Sequence, residues 1–420
     1  MDAFIIQGGS RLRGEVTVSG AKNAALPIMA ACLLTGQECR IGGVPDLADV
    51  RHMSVLLETL GGAVRRDGDA LAIGVADDAD VHADYDLVRK MRASVCVLGP
   101  LLAKRGRARV AMPGGCSFGP RPIDIHLRGL AALGAEIELD EGDIVAKAKR
   151  LRGAEVFLGG PFGSTVTGTA NVLMAATLAE GRTVIESAAC EPEIVDLVDF
   201  LNAMGARIAG AGTPRLVIDG VESLEGAEHR IIPDRIEAGT FMVAAVLTNG
   251  EIHVRGARQD HLMAVIDKLR QIGAIVDPDA DGLCVSSNRH IHATDLTTLP
   301  YPGFPTDLQA QVMTLLCLAD GNSIITEKVY PDRFMHVAEL GRMGAKIRKE
   351  GPTAIVAGTK RLVGAPVMAS DLRASAALVL AGLVAEGRTK VSRVYHIDRG
   401  YERIEAKLNP LGARIERVEV

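Results

Sequence analysis

The sequence has no tryptophan and few other aromatic residues, with eight phenylalanines and five tyrosines. Single-stranded nucleic acids bind aromatic faces on a basic surface, whereas the formal net charge here is -5. The chain also lacks an apolar run of the roughly 18 to 20 residues that a membrane-spanning helix needs, and its first twenty residues carry charges where a signal peptide is apolar. We therefore expect a cytoplasmic protein that binds no nucleic acid and does not insert into membranes.

Cysteine pairs of the Cys-x-x-Cys type are absent, although the chain has seven cysteines. Such pairs are typical of disulfide frameworks, redox sites and structural zinc sites. We therefore expect free thiols, no metal and no cofactor. The cysteines are Cys32, Cys39, Cys96, Cys116, Cys190, Cys284 and Cys317.

Two glycine landmarks recur along the chain and indicate six copies of one unit. One glycine ends an Ala/Leu-rich helix, and the other follows about 25 residues later in a Gly-Ala turn, at spacings of 68 to 72 residues. The helix-ending glycines are Gly36, Gly106, Gly181, Gly250, Gly321 and Gly387. The turn glycines are Gly62, Gly134, Gly205, Gly273, Gly344 and Gly412.

Each unit combines an apolar helix, a strand, a polar loop, an amphipathic helix and further strands. In the third unit the pattern predicts helices over 169–180 and 194–204, with strands over 183–187 and 215–218. Such a unit cannot bury its apolar faces alone, so neighbouring copies must pack together. The even number predicts two domains of three units, with the break near 220–233. Alternating apolar residues before Gly20 predict strands without a unit of their own, which could complete the domain of the last unit.

The segment 111–124 is predicted to be a loop, because three glycines and three prolines prevent regular structure. Cys116 lies between glycine and serine at its centre, and Arg121 is near enough in sequence to favour the thiolate. An accessible thiolate is a candidate nucleophile, and its thiol a candidate proton donor. The alternative is that Cys116 is a small buried apolar residue.

Cations recur at two equivalent places in the units, the start of the first helix and the loop after its strand. Helix starts present unpaired N–H groups and the positive end of the helix dipole, and arginine binds carboxylate and phosphate through paired hydrogen bonds. We therefore predict an anion site where these positions converge, although any one arginine could instead form a surface salt bridge. The cations are Lys22, Arg92, Arg121, Arg333, Arg373 and Arg399.

Two acidic residues accompany these cations. Asp307 begins a helix; among cations it would stay ionised and accept a proton from a substrate hydroxyl, whereas the alternative is a capping role. Asp371 precedes Arg373 by two residues and could simply pair with an arginine.

Five motifs, taken together and in order, resemble those of the UDP-N-acetylglucosamine 1-carboxyvinyltransferases, a family of enolpyruvyl transferases. The resemblance extends over the whole chain, and each motif alone would be weak. The motifs are Gly20-Ala21-Lys22-Asn23-Ala24-Ala25-Leu26-Pro27, the Cys116 loop with Arg121-Pro122-Ile123-Asp124, Phe304-Pro305-Thr306-Asp307, Asp371-Leu372-Arg373-Ala374-Ser375 and Tyr395-His396-Ile397-Asp398-Arg399-Gly400-Tyr401-Glu402.

The resemblance implies an α/β fold, a two-domain inside-out α/β barrel built from six βαβαββ-type repeats with three repeats per domain. The first domain is expected over 20–231 and the second over 1–19 plus 232–420, with the active site in the cleft between them. We expect a monomer or weak oligomer.

The implied reaction transfers the enolpyruvyl group of phosphoenolpyruvate to the 3-hydroxyl of UDP-N-acetylglucosamine by addition and elimination, with release of phosphate. This is the first committed step of peptidoglycan precursor synthesis in cell wall biogenesis. Asp307 would accept the hydroxyl proton, while Cys116 or a group it positions would protonate C3. Cys116 also matches the thiol that fosfomycin, a covalent inhibitor, alkylates.

The family's binding roles carry over residue by residue. Phosphoenolpyruvate contacts are expected from Lys22, Asn23, Arg121 and Arg399. Nucleotide-sugar contacts are expected from Arg92, Arg121, Pro122, Ile123, Asp124, Ile125, Ser164, Thr165, Val166, Asp307 and Val329. The catalytic residues are expected to be Cys116, Asp307, Lys22 and Arg399, supported by Arg333, Asp371 and Arg373. Over 164–169 many relatives have Ser-Val-Gly-Ala-Thr where this chain has STVTGT, which leaves open which backbone groups contact the diphosphate.

Three other functions remain possible at this point. The sister enzyme that acts on shikimate 3-phosphate shares the chemistry but lacks the cysteine loop. A non-catalytic UDP-sugar sensor would not need the thiol together with Asp307, Lys22 and Arg399. A cysteine hydrolase would need a histidine beside Cys116, and the repeat pattern places none there.

Overall fold

The computed structural model describes residues 2–76, 80–113, 123–287 and 290–419. These residues fold into two compact units. The first unit contains residues 20–113 and 123–232, and the second contains residues 2–19 and 233–419. Each unit has its own apolar core.

The first unit contains three four-stranded sheets among the residues described. In each sheet the first two strands are parallel, and the third and fourth continue antiparallel. In spatial order the sheets are Glu228–Arg230, Cys39–Gly42, Ala70–Val75 and Gly62–Asp67; His82–Ala83, Arg107–Ala111, Asp143–Lys147 and Glu136–Asp140; and Glu155–Phe157, Arg182–Glu186, Arg215–Asp219 and Arg207–Ala209. A short antiparallel pair joins Gly159–Gly160 to Gly163–Ser164.

The described part of the second unit repeats this arrangement three times, with the same order of parallel and antiparallel pairs. Its sheets are Arg13–Thr17, Glu251–Arg255, Gly282–Ser287 and Ala274–Pro278; Leu296–Thr298, Asn322–Glu327, Thr353–Ala357 and Lys346–Glu350; and Pro366–Met368, Arg388–Ser392, Asp2–Gln7 and Ile415–Glu419. The two N-terminal strands therefore complete the fourth and sixth repeats, and Glu228–Arg230 completes the first.

Three helices in each unit are largely buried. They are Lys22–Ala31, Leu98–Arg105 and Val166–Ala176 in the first unit, and Arg235–Leu247, Gln309–Leu316 and Leu372–Val384 in the second. All residues of Gln309–Leu316 are buried, and only Arg235 is not buried in Arg235–Leu247. A helix that is apolar all round belongs inside a fold, and these helices contact one another within each unit.

The remaining helices are amphipathic or short. The α-helices are Ala48–Thr59, Tyr85–Val88, Asp124–Ala132, Pro192–Ala203, Met263–Ile272, His336–Arg342 and Ile404–Leu408. The 3₁₀ segments are Cys32–Leu34, Arg92–Val97, Gln259–His261, Thr306–Leu308, Val394–Arg399 and Asn409–Leu411.

The structure corrects some predicted element positions. The helix predicted over 169–180 is Val166–Ala176, because Thr165 caps it and accepts a hydrogen bond from the Gly168 N–H. The helix predicted over 194–204 begins earlier, with Pro192 in its first turn, where a missing N–H costs nothing.

One repeat landmark was assigned one residue too late. The equivalent of the other turn glycines is Gly61, because Gly61 has φ +84° and Gly62 already begins a strand. Gly134, Gly205 and Gly412 likewise have positive φ, a backbone conformation that side chains disfavour. The conformation explains why glycine recurs at this position.

Two expectations from composition concern thiols and membranes. The six cysteines within the described ranges are free, as expected; Cys116 lies outside those ranges. Across the described residues, no helix is both long enough and apolar enough to span a bilayer.

Candidate active site

Asp307 lies between two arginines in the second unit. Its Oδ1 is 2.7 Å from Nη1 of Arg333, and its Oδ2 is 3.2 Å from Nη2 of Arg373. Both arginine side chains are buried, whereas the Asp307 side chain keeps 25% of its surface exposed. The carboxylate is thus held on one side and open on the other.

Local structure positions all three groups. Asp307 is in the 3₁₀ turn Thr306–Leu308, which leads into the buried helix Gln309–Leu316. Arg373 is the second residue of the helix Leu372–Val384, and Arg333 follows the strand Asn322–Glu327. Within the described residues Asp307 makes no capping hydrogen bond, so the capping interpretation fails and the pairing with cations is observed.

The two guanidinium groups determine the charge state of Asp307. Burial alone would raise the pKa of this carboxyl, but the positive charges of Arg373 and Arg333 hold the pKa well below its usual range. Asp307 in turn raises the pKa of the Arg373 guanidinium against the effect of burial. The cluster therefore contains one negative and two positive charges and retains a net positive charge that suits an anionic ligand.

Asp371 is the cap of the helix that carries Arg373. Its Oδ1 accepts hydrogen bonds from the N–H groups of Arg373 (2.9 Å) and Ala374 (3.1 Å). Asp371 thus has a backbone role, since an N-cap oxygen satisfies otherwise unpaired helix N–H groups.

Replacing Asp371 with alanine is expected to lower the free energy of unfolding by about 1 kcal/mol, because a capping acceptor is lost. The Asp371→Ser variant keeps a capping oxygen and should recover most of this loss. Urea unfolding followed by circular dichroism measures both variants. An equal loss in both would contradict the cap as the source of the stability.

Buried polar residues to which the sequence analysis gave no role support Asp307 from behind. The Gln311 amide donates hydrogen bonds to the Asp307 backbone oxygen (3.0 Å) and to the Thr240 and Tyr401 hydroxyl oxygens (3.2 Å each). The Arg373 guanidinium lies 5.6 Å from the centre of the Tyr401 ring. Both Gln311 and Tyr401 are buried, so this network fixes the Asp307–Arg373 pair. The sequence signals for this network are two polar residues within apolar helices, Thr240 and Gln311, and the position of Tyr401 in the last motif.

Glu327 holds the segment that contains Val329. This buried carboxylate accepts hydrogen bonds from the N–H groups of Val329 and Tyr330 (2.9 Å each) and from the Thr306 hydroxyl (2.9 Å). It therefore links the turn before Asp307 to the loop after the strand.

The predicted Arg399 ends the 3₁₀ segment Val394–Arg399 and is partly buried. The preceding Asp398 forms a two-pronged pair with Arg417, with distances of 2.6 and 2.9 Å. This pair anchors the turn that presents Arg399.

In the first unit, Lys22 begins a buried helix and pairs with a carboxylate. Its Nζ is 3.0 Å from Asp49 Oδ2, and both side chains are nearly inaccessible. Asn23 follows at the second helical position and is partly buried. A buried cation at a helix N-terminus is suited to bind a small anion.

A hydrogen-bond chain in the same unit fixes the orientation of His126. The Asn171 amide donates to the Val95 carbonyl (2.9 Å) and accepts from the Gly99 N–H (2.8 Å), so its orientation is determined by the backbone. Because its NH₂ also faces His126 Nδ1 at 3.0 Å, that nitrogen accepts. His126 Nε2 therefore carries the proton and donates to the Thr167 hydroxyl oxygen at 3.2 Å.

His126 and His336, one in each unit, are buried histidines that make stability depend on pH. Burial lowers the pKa of His126 to about 3 and that of His336 to about 4; the positive charge of Arg92 contributes at His126. Below pH 6.5 the unfolded chain binds protons that the folded chain does not, so stability falls as the pH falls.

At pH 5.0 each histidine is expected to lower the free energy of unfolding by about 2 kcal/mol relative to pH 7.5. The His126→Gln variant should show a pH difference smaller by that amount, measured by urea unfolding at both pH values. The His336→Gln variant provides the parallel measurement in the second unit. An unchanged pH difference in both variants would refute the assignment.

The other predicted contacts in the first unit cluster at helix starts. Ile123 immediately precedes the helix Asp124–Ala132, which includes Asp124 and Ile125, and Arg92 begins a 3₁₀ segment. Ser164 ends a short strand, Thr165 caps the following helix and Val166 begins it. Cys116, Arg121 and Pro122 lie outside the described residues.

Comparison with known proteins gives consistent matches over the full chain. The family model described as EPSP synthase (3-phosphoshikimate 1-carboxyvinyltransferase) matches residues 6–408. The chain is 54% identical over 420 residues to UDP-N-acetylglucosamine 1-carboxyvinyltransferase of Methylacidiphilum infernorum, covering 100% of this chain and 99% of the relative. It is 55% identical over 420 residues to UDP-N-acetylglucosamine 1-carboxyvinyltransferase 2 of Carboxydothermus hydrogenoformans, covering both chains completely.

Solved structures give the same fold. The enolpyruvyl transferase NikO from Streptomyces tendae has a TM-score of 0.90 at 26% identity, covering 100% of this chain and 99% of that one. EPSP synthase from Acinetobacter baumannii has a TM-score of 0.75 at 18% identity, covering both chains completely. The predicted fold class, α/β with six repeats, is therefore confirmed.

Proposed function

Because this chain belongs to the EPSP synthase family of enolpyruvyl transferases, we propose that it transfers the enolpyruvyl group of phosphoenolpyruvate to the 3-hydroxyl of UDP-N-acetylglucosamine. Its relatives with 54 to 55% identity over the whole chain carry the name of that activity. Their identity exceeds the 18% shared with a solved EPSP synthase, which favours the UDP-sugar over shikimate 3-phosphate. The reaction belongs to peptidoglycan precursor synthesis, a cytoplasmic stage of cell wall biogenesis.

The observation that carries this proposal is the Asp307 cluster. A carboxylate that two buried arginines keep ionised, yet one quarter exposed, can face a substrate hydroxyl. Asp307 accepts the proton of the sugar 3-hydroxyl as its oxygen attacks C2 of phosphoenolpyruvate. Arg333 and Arg373 stabilise the negative charge that develops on the phosphate as it leaves.

Further cations and helix starts are proposed to bind the same substrates. Lys22 binds the phosphate of phosphoenolpyruvate, with Asn23 beside it, and Arg121 and Arg399 bind its phosphate and carboxylate. Arg92 and the helix starts at 123–125 and 164–166 bind the nucleotide-sugar. Unpaired N–H groups at such starts suit a diphosphate.

Cys116 is proposed to donate the proton to C3 of phosphoenolpyruvate, or to position the group that does. The proton ends on the methyl carbon of the addition intermediate, and elimination of phosphate with loss of a proton from that carbon restores the double bond. The same thiol is the proposed target of fosfomycin, whose epoxide it opens to form a thioether.

Phosphate release with phosphoenolpyruvate and UDP-N-acetylglucosamine tests the proposal. We expect turnover with this pair, none with shikimate 3-phosphate as acceptor, and loss of turnover after fosfomycin pretreatment. Binding of the UDP-sugar without phosphate release would favour the sensor, and turnover of shikimate 3-phosphate would favour the sister enzyme.

The thiol assignment has its own measurement. Mass spectrometry is expected to show one fosfomycin adduct on the unmodified chain and none on the Cys116→Ser variant. The Cys190→Ser variant, which removes a different partly exposed thiol, should be labelled like the original chain. Equal labelling of the Cys116→Ser variant would refute the assignment.

A further inference from the structure

One face of a sheet in the second unit presents metal-binding side chains away from the core. The sheet contains the strands Glu251–Arg255, Gly282–Ser287 and Ala274–Pro278. His253 alternates with the buried Ile252 and Val254, and Cys284 alternates with the buried Leu283 and Val285. His253 and Cys284 are directly opposite each other in the antiparallel register, so their side chains are neighbours on the outward face.

Asp279 and Asp281, in the turn that joins the last two strands, complete a group of donor atoms. His253 Nε2 is 2.9 Å from Asp279 Oδ2 and 3.3 Å from Asp281 Oδ1. Cys284 Sγ is 3.4 Å from the same Asp279 oxygen, and the donor atoms of His253, Asp279 and Cys284 all lie within 4.8 Å of one another. In a tetrahedral zinc site with bonds of roughly 2.0 to 2.3 Å, adjacent donors are roughly 3.3 to 3.8 Å apart. Small side-chain adjustments would bring this group to that geometry.

In Asp279 and Asp281, one carboxylate oxygen lies near His253 and the second oxygen contacts another group. Asp279 Oδ1 accepts a hydrogen bond from the Asp281 N–H at 3.0 Å, and Asp281 Oδ2 is 2.8 Å from Nη2 of Arg255. The oxygens near His253 are therefore the ones not engaged by these partners. Such outer contacts orient ligands in metal sites.

The ring nitrogen that faces this group lies among its oxygen atoms. His253 Nε2 is inaccessible to solvent and lies 2.9 Å from Asp279 Oδ2 and 3.3 Å from Asp281 Oδ1. When Nδ1 carries the ring proton, the lone pair of Nε2 faces these carboxylate oxygens, and a cation between them would satisfy the nitrogen and both oxygens.

We propose that His253, Asp279, Asp281 and Cys284 bind one Zn²⁺ or a divalent cation of similar softness. The imidazole nitrogen and thiolate sulfur select such a metal over Mg²⁺ or Ca²⁺, which prefer oxygen alone. On binding, the Cys284 thiol releases its proton to solvent, and the sulfur lone pair forms the metal bond. The thiolate and two carboxylates then balance the cation together with Arg255.

This proposal departs from the expectation of no metal site. That expectation rested on the absence of Cys-x-x-Cys pairs, which reveal ligands close in sequence. Here the strand register brings residues 253 and 284 together, and spacing along the chain gives no indication of it. The proposed metal crosslinks two strands and their turn.

Cobalt(II) titration of the full-length chain tests the site, because thiolate coordination gives a near-ultraviolet charge-transfer band and tetrahedral geometry gives strong visible bands. We expect both bands at one equivalent of cobalt and their disappearance when zinc is added. In competition assays, Cys284→Ser and His253→Gln should each weaken zinc affinity by at least the roughly 10 to 100-fold that loss of an outer partner costs.

Control variants separate this site from other thiols. Cys190→Ser and Cys116→Ser should keep both cobalt bands, and circular dichroism should show that all four variants are folded. Cobalt bands that persist in Cys284→Ser, or an unmodified chain that shows no charge-transfer band, would overturn the proposal. Neither result would bear on the transferase activity, which is measured separately by phosphate release.

Discussion

Replacement of Asp307 by asparagine is expected to lower kcat by about 10²-fold or more, the contribution that a positioned general base makes. Asparagine keeps the shape of the side chain but cannot accept the proton of the sugar 3-hydroxyl. Because Arg333 keeps its hydrogen bond to the Thr306 hydroxyl and Arg373 keeps its contact with the Tyr401 ring, the Michaelis constants should change much less than kcat. Phosphate release at saturating substrate concentrations measures the effect.

The matched control for this change is Asp332→Asn. Asp332 is next to Arg333 in sequence, but its side chain is 70% exposed and 3.7 Å from Lys349, so this variant should turn over like the original chain. Thermal unfolding of both variants separates loss of activity from loss of structure. Near-normal turnover of folded Asp307→Asn would assign Asp307 to charge balance between the arginines instead of proton transfer.

The charge state of Asp307 also limits how the rate of turnover can depend on pH. Its pKa lies well below the usual range, so it stays ionised at every ordinary assay pH, and no acid limb above pH 5 should originate from this residue. A carboxylate so strongly paired is a weak base. We therefore expect substrate anions to draw Arg333 or Arg373 away from Asp307 on binding, which raises its basicity when the hydroxyl proton must move.

The six repeats were predictable from the sequence because each repeat needs a glycine in the same left-handed turn. The turn glycines have positive φ, so substitution is disfavoured at each and the period survives sequence change. The identity of the first turn glycine was harder to assign because two glycines are adjacent and only Gly61 has the left-handed conformation. The predicted starts of two helices were wrong by three and two residues, since the helices begin at Val166 and Pro192. A cap such as Thr165 is identified by its backbone angles and hydrogen bond, which the sequence alone does not show.

The residues that build the site from behind were not predictable from the sequence. Glu327, Gln311 and Tyr401 act through hydrogen bonds between separate segments, Glu327 with Thr306 and Gln311 with Tyr401. Glu327 and Gln311 lie outside the five motifs, and Tyr401 lies within the last of them, but nothing in that motif indicates its contact with Gln311. The same limit applies to His253 and Cys284, whose proximity depends on strand register.

Lys22→Met is expected to reduce kcat/KM for phosphoenolpyruvate by about 10² to 10³-fold, comparable to the loss of one preorganised donor at a developing charge. Methionine retains an apolar stem but removes the ammonium group from the start of the buried helix. The Asp49 carboxylate is nearly inaccessible and loses the Lys22 ammonium group at 3.0 Å, so the substitution also lowers the free energy of unfolding.

A double variant separates these two effects. Lys22→Met combined with Asp49→Asn removes both charges of the pair, so much of the lost stability should return, as measured by urea unfolding. The lost activity should not return, because the cation that binds phosphate is still missing. Since a buried pair deleted as a whole can be nearly neutral while a half-deleted pair is costly, recovery of turnover in the double variant would show that Lys22 serves the fold and not the substrate.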